Sequence, residues 1–329
     1  MRRGETIPSG SRAHSVTGPN RPPATHRREL GTLAAGLALW AGASAHAAGY
    51  SEFLDTLEFR GFRAEASYTT DSNVTRAPAG DALRDRILGV RVSAGGVIPL
   101  STRTRAAVQG FAGIQKFGTY TGLSNNLIGT QGDFLFRSSG EFAAATYGAF
   151  ARTAKEEYES TLRDGYRHAF GVTVQKPLTD RIQLFGALTR NISDGKSTVF
   201  DARSTSLRGN ADWSLGRWET VYLGAEYRTG DSVSTVSRND PIRTLGFVNT
   251  ASKIIQDDAF NDTTRDAYRL KAHTLIATLG YNRAFGERHA LDVSWRRAQS
   301  SVQNAVAPAS GSDLNYPVNQ ISVAYLGRF

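Results

Sequence analysis

The segment Ile321-Ser-Val-Ala-Tyr-Leu-Gly-Arg-Phe329 decides the fold, because it alternates between apolar and polar residues and stops on an aromatic one. Side chains two apart on a β-strand point the same way, so one face carries Ile321, Val323, Tyr325 and Phe329. An edge strand of a soluble sheet has this pattern. A strand that seals a barrel in lipid must have it, because its outward side chains contact hydrocarbon. The segment therefore predicts a strand with one strongly apolar face. By itself it does not decide between the edge of a soluble sheet and a barrel in lipid.

The composition excludes one broad class of protein and disfavours another. The 329 residues include no Cys, and no apolar run is long enough to cross a bilayer as a helix, which excludes transmembrane helices. The formal charge of +9 falls to +5 when residues 1–47, with six Arg and two Glu, are removed. Because no block of Lys and Arg occurs, nucleic-acid binding is disfavoured. An exported chain without Cys is typical of a fold that a closed hydrogen-bond ladder stabilises.

The N-terminal region has the features of a secretory signal peptide. The apolar run Leu30–Ala48 follows Arg27-Arg28 and ends in small residues at the spacing expected for cleavage. We therefore expect residues 1–47 to be a cleaved signal peptide and residues 48–329 to be one domain. The polar, Pro-rich segment before the apolar run is longer than an ordinary leader, which leaves open where translation begins.

Alternating segments of about ten residues, separated by turn residues, repeat along the rest of the chain. Short turns, among them Pro99–Arg103, Pro177–Arg181 and Arg137–Gly140, are predicted on one side, and longer polar connections on the other. Counting the segments predicts twelve strands with both ends on the short-turn side. A β-propeller or a sandwich does not require this asymmetry. The predicted long connections are Asn73–Leu83, Gly118–Asn125, Ala154–Arg163, Ile192–Phe200, Gly230–Arg265 and Ser300–Tyr316.

Two stretches resemble known membrane barrels. The segment Ile321–Phe329 resembles the C-terminal strand of bacterial outer-membrane β-barrels, which implies recognition of Phe329 by the barrel-assembly machinery. The stretch Tyr68-Thr-Thr-Asp-Ser-Asn-Val-Thr-Arg-Ala-Pro-Ala-Gly80 resembles the first strand and loop of the barrel domain of surface lipoprotein assembly modifiers and related porins. In that family a periplasmic tetratricopeptide domain precedes the barrel, whereas here the signal peptide leads almost directly into the first strand. The resemblance therefore implies the barrel and not lipoprotein translocation.

The predicted fold is a single closed antiparallel transmembrane β-barrel of about 12 strands in the outer membrane of a Gram-negative bacterium. The apolar faces would contact outer-membrane lipid, and the opposite faces would line the lumen with charges of both signs. Charges paired across the lumen would plug it, and an unpaired series of Arg would favour anions. The predicted lumen-lining residues are Arg63, Glu65, Arg91, Arg105, Asp133, Arg167, Arg208, Asp212, Glu226, Asp292 and Arg296.

Catalytic chemistry is not expected. A barrel phospholipase needs a His and a Ser close together on the lipid-facing surface, and no Ser follows two residues after His168, His273 or His289. No cofactor motif or metal cluster is recognisable, so we expect none. Solvation of a loop is the simpler explanation of the acidic residues Asp257, Asp258, Asp262 and Asp266.

The sequence thus predicts a porin-like channel for passive diffusion of small polar or anionic solutes, and not an enzyme. The long connection Gly230–Arg265 is expected to fold over or into the mouth. The alternative is a non-conducting structural or surface-interaction barrel that binds a partner through its extracellular loops. A third class, a lipid-modifying enzyme, predicts hydrolysis that is lost when His168 or His273 is replaced.

Overall fold

The computed structural model of the chain describes residues 61–141, 143–238, 253–303 and 315–329. The predicted signal peptide lies outside these ranges. Among the described residues, no helix is long and apolar enough to cross a membrane.

Within the described ranges the chain forms thirteen strands, and twelve of them close into an antiparallel barrel. Each barrel strand pairs with its neighbours along the chain, and β13 pairs with β1 to close the cylinder. The prediction of twelve strands is confirmed. The thirteenth, the three-residue β10, lies in the connection between β9 and β11 and pairs with the start of β11. The strands are β1 (Gly61–Asp71), β2 (Asp85–Pro99), β3 (Thr104–Phe117), β4 (Asn125–Arg137), β5 (Thr146–Tyr158), β6 (Gly165–Pro177), β7 (Ile182–Gly195), β8 (Ala202–Ser214), β9 (Glu219–Ser237), β10 (Ile254–Gln256), β11 (Arg265–Phe285), β12 (His289–Val302) and β13 (Asn315–Arg328).

The seam between β1 and β13 closes the barrel along its whole length. The backbone N–H of Phe329 donates to the carbonyl of Phe62 at 2.8 Å, and the N–H of Phe62 donates back at 3.2 Å. Further along the seam, the hydroxyls of Thr69 and Ser322 lie 2.9 Å apart on the inner face. The four apolar residues of the closing segment are exposed on the outer face: Ile321, Val323, Tyr325 and Phe329.

The outer surface is apolar because the alternation continues around the cylinder. Leu88 and Val90 on β2, Leu188 on β7 and Leu207 on β8 are all exposed, and every one lies between inward-facing neighbours. Large exposed apolar side chains on most strands would cause aggregation in water. In a membrane they would contact the hydrocarbon chains of the lipids. The prediction of a transmembrane barrel is confirmed by this surface and by the closed strand order.

Two of the short turns are stabilised by a hydroxyl group at the same position. In the turn between β2 and β3, the Ser101 hydroxyl accepts hydrogen bonds from the backbone N–H groups of Arg103 and Thr104, at 3.2 and 3.0 Å. Thr179 does the same between β6 and β7, also at 3.2 and 3.0 Å. The repeated Pro-Leu-Ser/Thr sequence therefore encodes one turn structure twice.

Several predicted connections are shorter than expected, because strands continue into polar sequence. β5 runs to Tyr158 and β7 to Gly195, inside stretches that were predicted as loops. The largest difference concerns Gly230–Arg265, where β9 continues to Ser237 and pairs with β11 from Gly230↔Ala272 to Ser237↔Arg265. Backbone pairing in a two-stranded ribbon needs no apolar face, so the alternation of apolar and polar residues did not reveal it. The turn predicted at Arg137–Gly140 is longer instead, because β5 begins only at Thr146.

Candidate functional site: the lumen and its covered mouth

The inner face of the barrel carries most of the charged residues that were predicted to line it. Ten of the eleven are buried or half-buried at inward positions of their strands, and the exception is Arg105, which is exposed at the short-turn end of β3. The buried carboxylates are grouped with other polar side chains and not scattered. Three groups of contacts can be distinguished along the lumen.

The first group lies in the half of the lumen nearer the short turns, on β1, β8, β9 and β12. Arg63 forms an ion pair with Glu65 at 3.6 Å. Asp292 accepts hydrogen bonds from the Tyr222 hydroxyl, whose oxygen lies 3.0 and 3.1 Å from the two carboxylate oxygens. Asp212 accepts a hydrogen bond of 2.9 Å from Asn210. These carboxylates are therefore held by neighbours and do not point freely into the lumen.

The second group lies on the opposite wall, on β2 to β6. Arg167 contacts Glu156, and its Nη2 lies 3.0 Å from the hydroxyl of Tyr158, which donates to Glu156 at 2.7 Å. Asp133 accepts hydrogen bonds from Gln131 at 3.1 and 3.2 Å. The guanidinium groups of Arg91 and Arg152 lie over the ring of Phe111, at 4.4 and 4.6 Å from its centroid. Glu156 was missed in the sequence because the end of β5 was predicted as a loop. Arg152, which lies just before that stretch, was not among the predicted lumen-lining residues either.

The third group surrounds a cavity in the loop-bearing half of the lumen, between β9, β11, β12 and β13. Arg228 forms two hydrogen bonds with Oε1 of Glu226, at 3.1 and 2.6 Å. Arg76 reaches in from the connection between β1 and β2 and forms a two-point contact with Asp71, at 3.0 and 2.8 Å. Arg296 lies close enough to Glu226 to be attracted by it and close enough to Arg228, Arg76 and Arg208 to be repelled by them. The lining residues are Arg76, Arg228, Gly230, Asp231, Ser232, Ser234, Leu270, Ala272, Thr274, Arg296, Ala298, Ser300, Tyr316, Val318 and Gln320.

The connections at the loop-bearing end fold together over the mouth. Val74 from the first of them packs with Phe117, Leu123 and Phe260 in a buried apolar cluster that also includes Ile87 and Ala259. The ribbon formed by β9 and β11 joins this assembly, because the N–H of Thr235 donates to the carbonyl of Thr75 at 2.9 Å. We call the segment of residues 257–260, together with the connections that follow β1, β3 and β5, the cap.

A buried ion pair anchors the cap. Two nitrogens of Arg163 lie 2.5 and 2.6 Å from the two oxygens of Asp257, and the hydroxyl of Thr235 donates to the same carboxylate at 2.6 Å. The guanidinium also lies over the ring of Phe200, 4.4 Å from its centroid. Burial alone would raise the pKa of Asp257. The charge of Arg163 and the hydrogen bonds outweigh burial, so the pKa lies below its ordinary value.

The expectation that loop solvation explains the four acidic residues is wrong for two of them. Asp257 is fully buried against Arg163, and Asp266 is buried and paired with Arg238 at 2.9 Å. Arg163 is 94 positions from Asp257, and Arg238 is 28 positions from Asp266. Because both partners are distant in sequence, local spacing did not identify them. Within the ranges that the structure describes, no group of three or more His, Asp or Glu is arranged to hold a metal ion.

The three histidines that the structure describes lie on the outer surface, each beside a tyrosine. Tyr227 and Tyr325 place their hydroxyls 2.6 and 2.7 Å from Nδ1 of His273 and His289. His168 has a cross-strand neighbour instead, because Nδ1 lies 3.0 Å from the Thr153 hydroxyl. Because Thr153 and His168 lie on neighbouring strands, the spacing of residues along one strand did not predict this contact. It supplies a hydroxyl and a base, but Nε2 of His168 is 3.9 Å from Asp194, beyond hydrogen-bond distance.

The fold is similar to those of known outer-membrane proteins. No family model matches the chain, and no curated protein sequence matches it. An outer membrane channel from Pseudomonas putida F1 is similar in structure, with a TM-score of 0.51 and 12% identity over 82% of this chain and 96% of that chain. NanC porin has a TM-score of 0.42 and 8% identity, over 82% of this chain and 100% of that one. KdgM porin in complex with disordered oligogalacturonate has a TM-score of 0.39 and 8% identity, over 81% and 99%.

The first of these similarities extends over most of both chains. It agrees with the closed strand order and the apolar outer surface. The local resemblance to surface lipoprotein assembly modifiers stays a prediction, since no family model matches. The chain therefore has the fold of a bacterial outer-membrane β-barrel.

Proposed function

We propose that this protein is an outer-membrane channel through which small polar or anionic solutes diffuse passively. The observation that supports this best is the contrast between the two faces of the barrel. The outer face is apolar, whereas the inner face carries charged and hydroxyl side chains from strands all around the cylinder. A polar inner wall surrounded by hydrocarbon offers hydrated solutes a path that lipid denies them.

The proposal includes the route by which the protein reaches its membrane. Residues 1–47 would direct export, residues 48–329 would form the barrel, and the barrel-assembly machinery would insert it. The end with the longer connections would face the outside of the cell, as is usual for outer-membrane barrels. Outer-membrane lipid would then surround the apolar band.

Selectivity in this channel would come from charge and from width. The paired carboxylates and guanidinium groups narrow the lumen, since ion pairs shielded from bulk water are costly to separate. The cavity between β9 and β13 brings together Arg76, Arg228 and Arg296, which favours anions over cations in that half of the lumen.

The cap favours the competing function, a non-conducting barrel that binds a partner at the cell surface. Connections from five parts of the chain pack over the mouth around Arg163 and Asp257. A partner would then contact the outer side of the cap, and no solute would pass.

Conductance in a planar lipid bilayer separates the two functions. We expect small, anion-selective currents from the refolded protein and larger currents from a variant in which residues 254–263 are replaced by a Gly-Ser linker. The sign of the reversal potential in a KCl gradient reports the selectivity. If neither protein conducts, the channel proposal is wrong. Phospholipid hydrolysis that is lost in His168→Ala or His273→Ala would instead identify a lipid-modifying enzyme.

A further inference from the structure

We propose that Arg76, Arg228 and Arg296 form a binding subsite for a small hydroxylated carboxylate, such as a hydroxy acid or an acidic sugar. This inference rests on the proposed channel function, and it names the class of solute that the lumen retains during passage. Four observations support it: the position of the cavity, its charge, an unpartnered hydroxyl and the backbone conformation of Arg76.

The cavity lies where a solute passing through the loop-bearing half of the lumen meets the wall. β9, β11, β12 and β13 supply most of its lining, and Arg76 closes one side from the connection after β1. Arg228 and Arg296 come from strands, whose backbone is held by ladders on both sides. A site built on paired strands holds its hydrogen-bond donors in place before a ligand arrives. Less conformational entropy is therefore lost on binding.

The three arginines carry more positive charge than Glu226 and Asp71 neutralise. A third carboxylate in the lining, Asp231, is paired with Lys271 at 2.7 Å. Glu226 accepts two hydrogen bonds from Arg228 and is also the carboxylate that attracts Arg296. Asp71 is engaged by Arg76 and by Gln320, whose Nε2 donates at 2.6 Å. A guanidinium has five N–H donors, so these contacts leave donors available to a ligand. A bound carboxylate would accept them and reduce the repulsion among the three arginines.

The wall beside the arginines offers hydroxyl groups. Thr274 and Ser300 lie 2.8 Å apart across β11 and β12, and either can turn its hydrogen toward a ligand. The hydroxyl of Ser234 is buried and has no hydrogen-bond partner among the described residues. A buried polar group without a partner is unusual, and a ligand hydroxyl in the cavity would satisfy it. Arginine beside hydroxyls suits a solute with a carboxylate and several OH groups.

The turn that carries Arg76 adopts an unfavourable conformation that directs its side chain inward. Arg76 has a φ of +54°, in the left-handed region that residues other than Gly seldom occupy. Asn73 stabilises the turn, because its side-chain oxygen accepts the N–H of Ala77 at 3.1 Å and its side-chain nitrogen donates to the Ala77 carbonyl at 2.7 Å. A strained arginine held this firmly is consistent with a role in binding.

The test measures binding separately from conductance. Saturation-transfer NMR on the refolded full barrel uses glucuronate as the probe and glucose as its neutral counterpart. We expect glucuronate to bind more tightly than glucose, and to bind about tenfold more weakly to Arg296→Gln, which lacks one charged donor. Arg297→Gln is the matched control, because Arg297 is the next residue and is exposed on the outer face. Arg76→Asn is a second variant, since Asn tolerates the left-handed conformation and removes the guanidinium.

Equal affinity of glucuronate for the wild-type protein and for Arg296→Gln would overturn the subsite, as would equal affinity for glucose. Heat-dependent gel mobility verifies that each variant has refolded. Conductance of the same preparations keeps the two proposals apart. A barrel that binds glucuronate without conducting contradicts the channel and supports the subsite, whereas a barrel that conducts without binding overturns the subsite alone.

Discussion

Single residues in this barrel act through partners that are far away in sequence. Asp257 pairs with Arg163, 94 positions earlier, and both side chains are almost fully buried. Removing one member of a buried ion pair leaves an uncompensated charge and costs about 3–5 kcal/mol. Because both residues belong to connections and not to barrel strands, this free energy stabilises the closed cap.

The depressed pKa of Asp257 makes cap closure dependent on pH. The carboxyl has its ordinary pKa, 3.8, when the cap is open, and a lower pKa when it is closed. The stabilisation is therefore fully present above about pH 4 and is lost as the pH falls through the lower pKa. We expect bilayer conductance to stay constant from neutral pH down to about pH 4 and to rise below it.

Asp257→Asn is the control for this prediction. The amide has no charge to lose, so its cap should be weakened at every pH and its conductance should show no step. A step of the same size in this variant would assign the pH dependence to other groups and contradict the role of Asp257.

At the scale of elements, close packing between connections determines whether the mouth is covered. Gly122, in the connection between β3 and β4, lies against Ala259 of the cap. A Cβ added at Gly122 would be 2.5 Å from the Cα of Ala259 and 2.8 Å from its carbonyl oxygen. Since both atoms belong to the backbone, the neighbouring segment would have to move as a unit.

Gly122→Ala is therefore expected to destabilise the closed cap by about 1–3 kcal/mol without affecting the barrel strands. The measurement is the rate of trypsin cleavage after Lys253, which should increase. Gly80→Ala is a matched control in another connection, where an added Cβ has no atom within 4 Å. Equal cleavage rates in the two variants would show that Gly122 does not determine cap packing.

At the scale of the whole molecule, the apolar outer band determines where the barrel can exist. Leu207 is 61% exposed and lies near the middle of β8, opposite Leu188 on β7 and Tyr227 on β9. The hydrocarbon core of a bilayer would be centred near this level, and the short turns would lie outside it. The position of a charged substitution relative to this band should therefore determine how much it lowers the free energy of unfolding.

Leu207→Arg should lower the free energy of unfolding in lipid vesicles by about 2–4 kcal/mol, because the charge would enter the middle of the bilayer. Leu178→Arg is the control, since Leu178 is similarly exposed but lies in a short turn, where the cost is about 0–1 kcal/mol. Denaturant titration of the protein in vesicles measures both values. If the two substitutions cost the same, the outer face is not embedded as proposed.

The sequence was sufficient for the closed barrel because the evidence for it is local. Alternation with a period of two is a property of each strand by itself, and hydroxyl-stabilised turns such as Leu178–Arg181 separate the strands. The sequence was insufficient where polar strands continue, as in β9 up to Ser237, since backbone pairing there leaves no apolar pattern. It placed Glu226 and Arg296 on the inner face and missed Arg76, Arg163 and Arg228.

The alternation of residues thus determined by itself the strand number, the closed antiparallel order and the apolar outer face. Only the tertiary structure decided which inward charges meet and whether the mouth is covered. The pairing of Arg163 with Asp257 depends on how separate connections fold over the barrel, and the cavity at Arg296 depends on the stagger of four strands and on the turn at Arg76. These are long-range contacts, and the free energy that selects them comes from burial and charge pairing between residues that no local pattern connects.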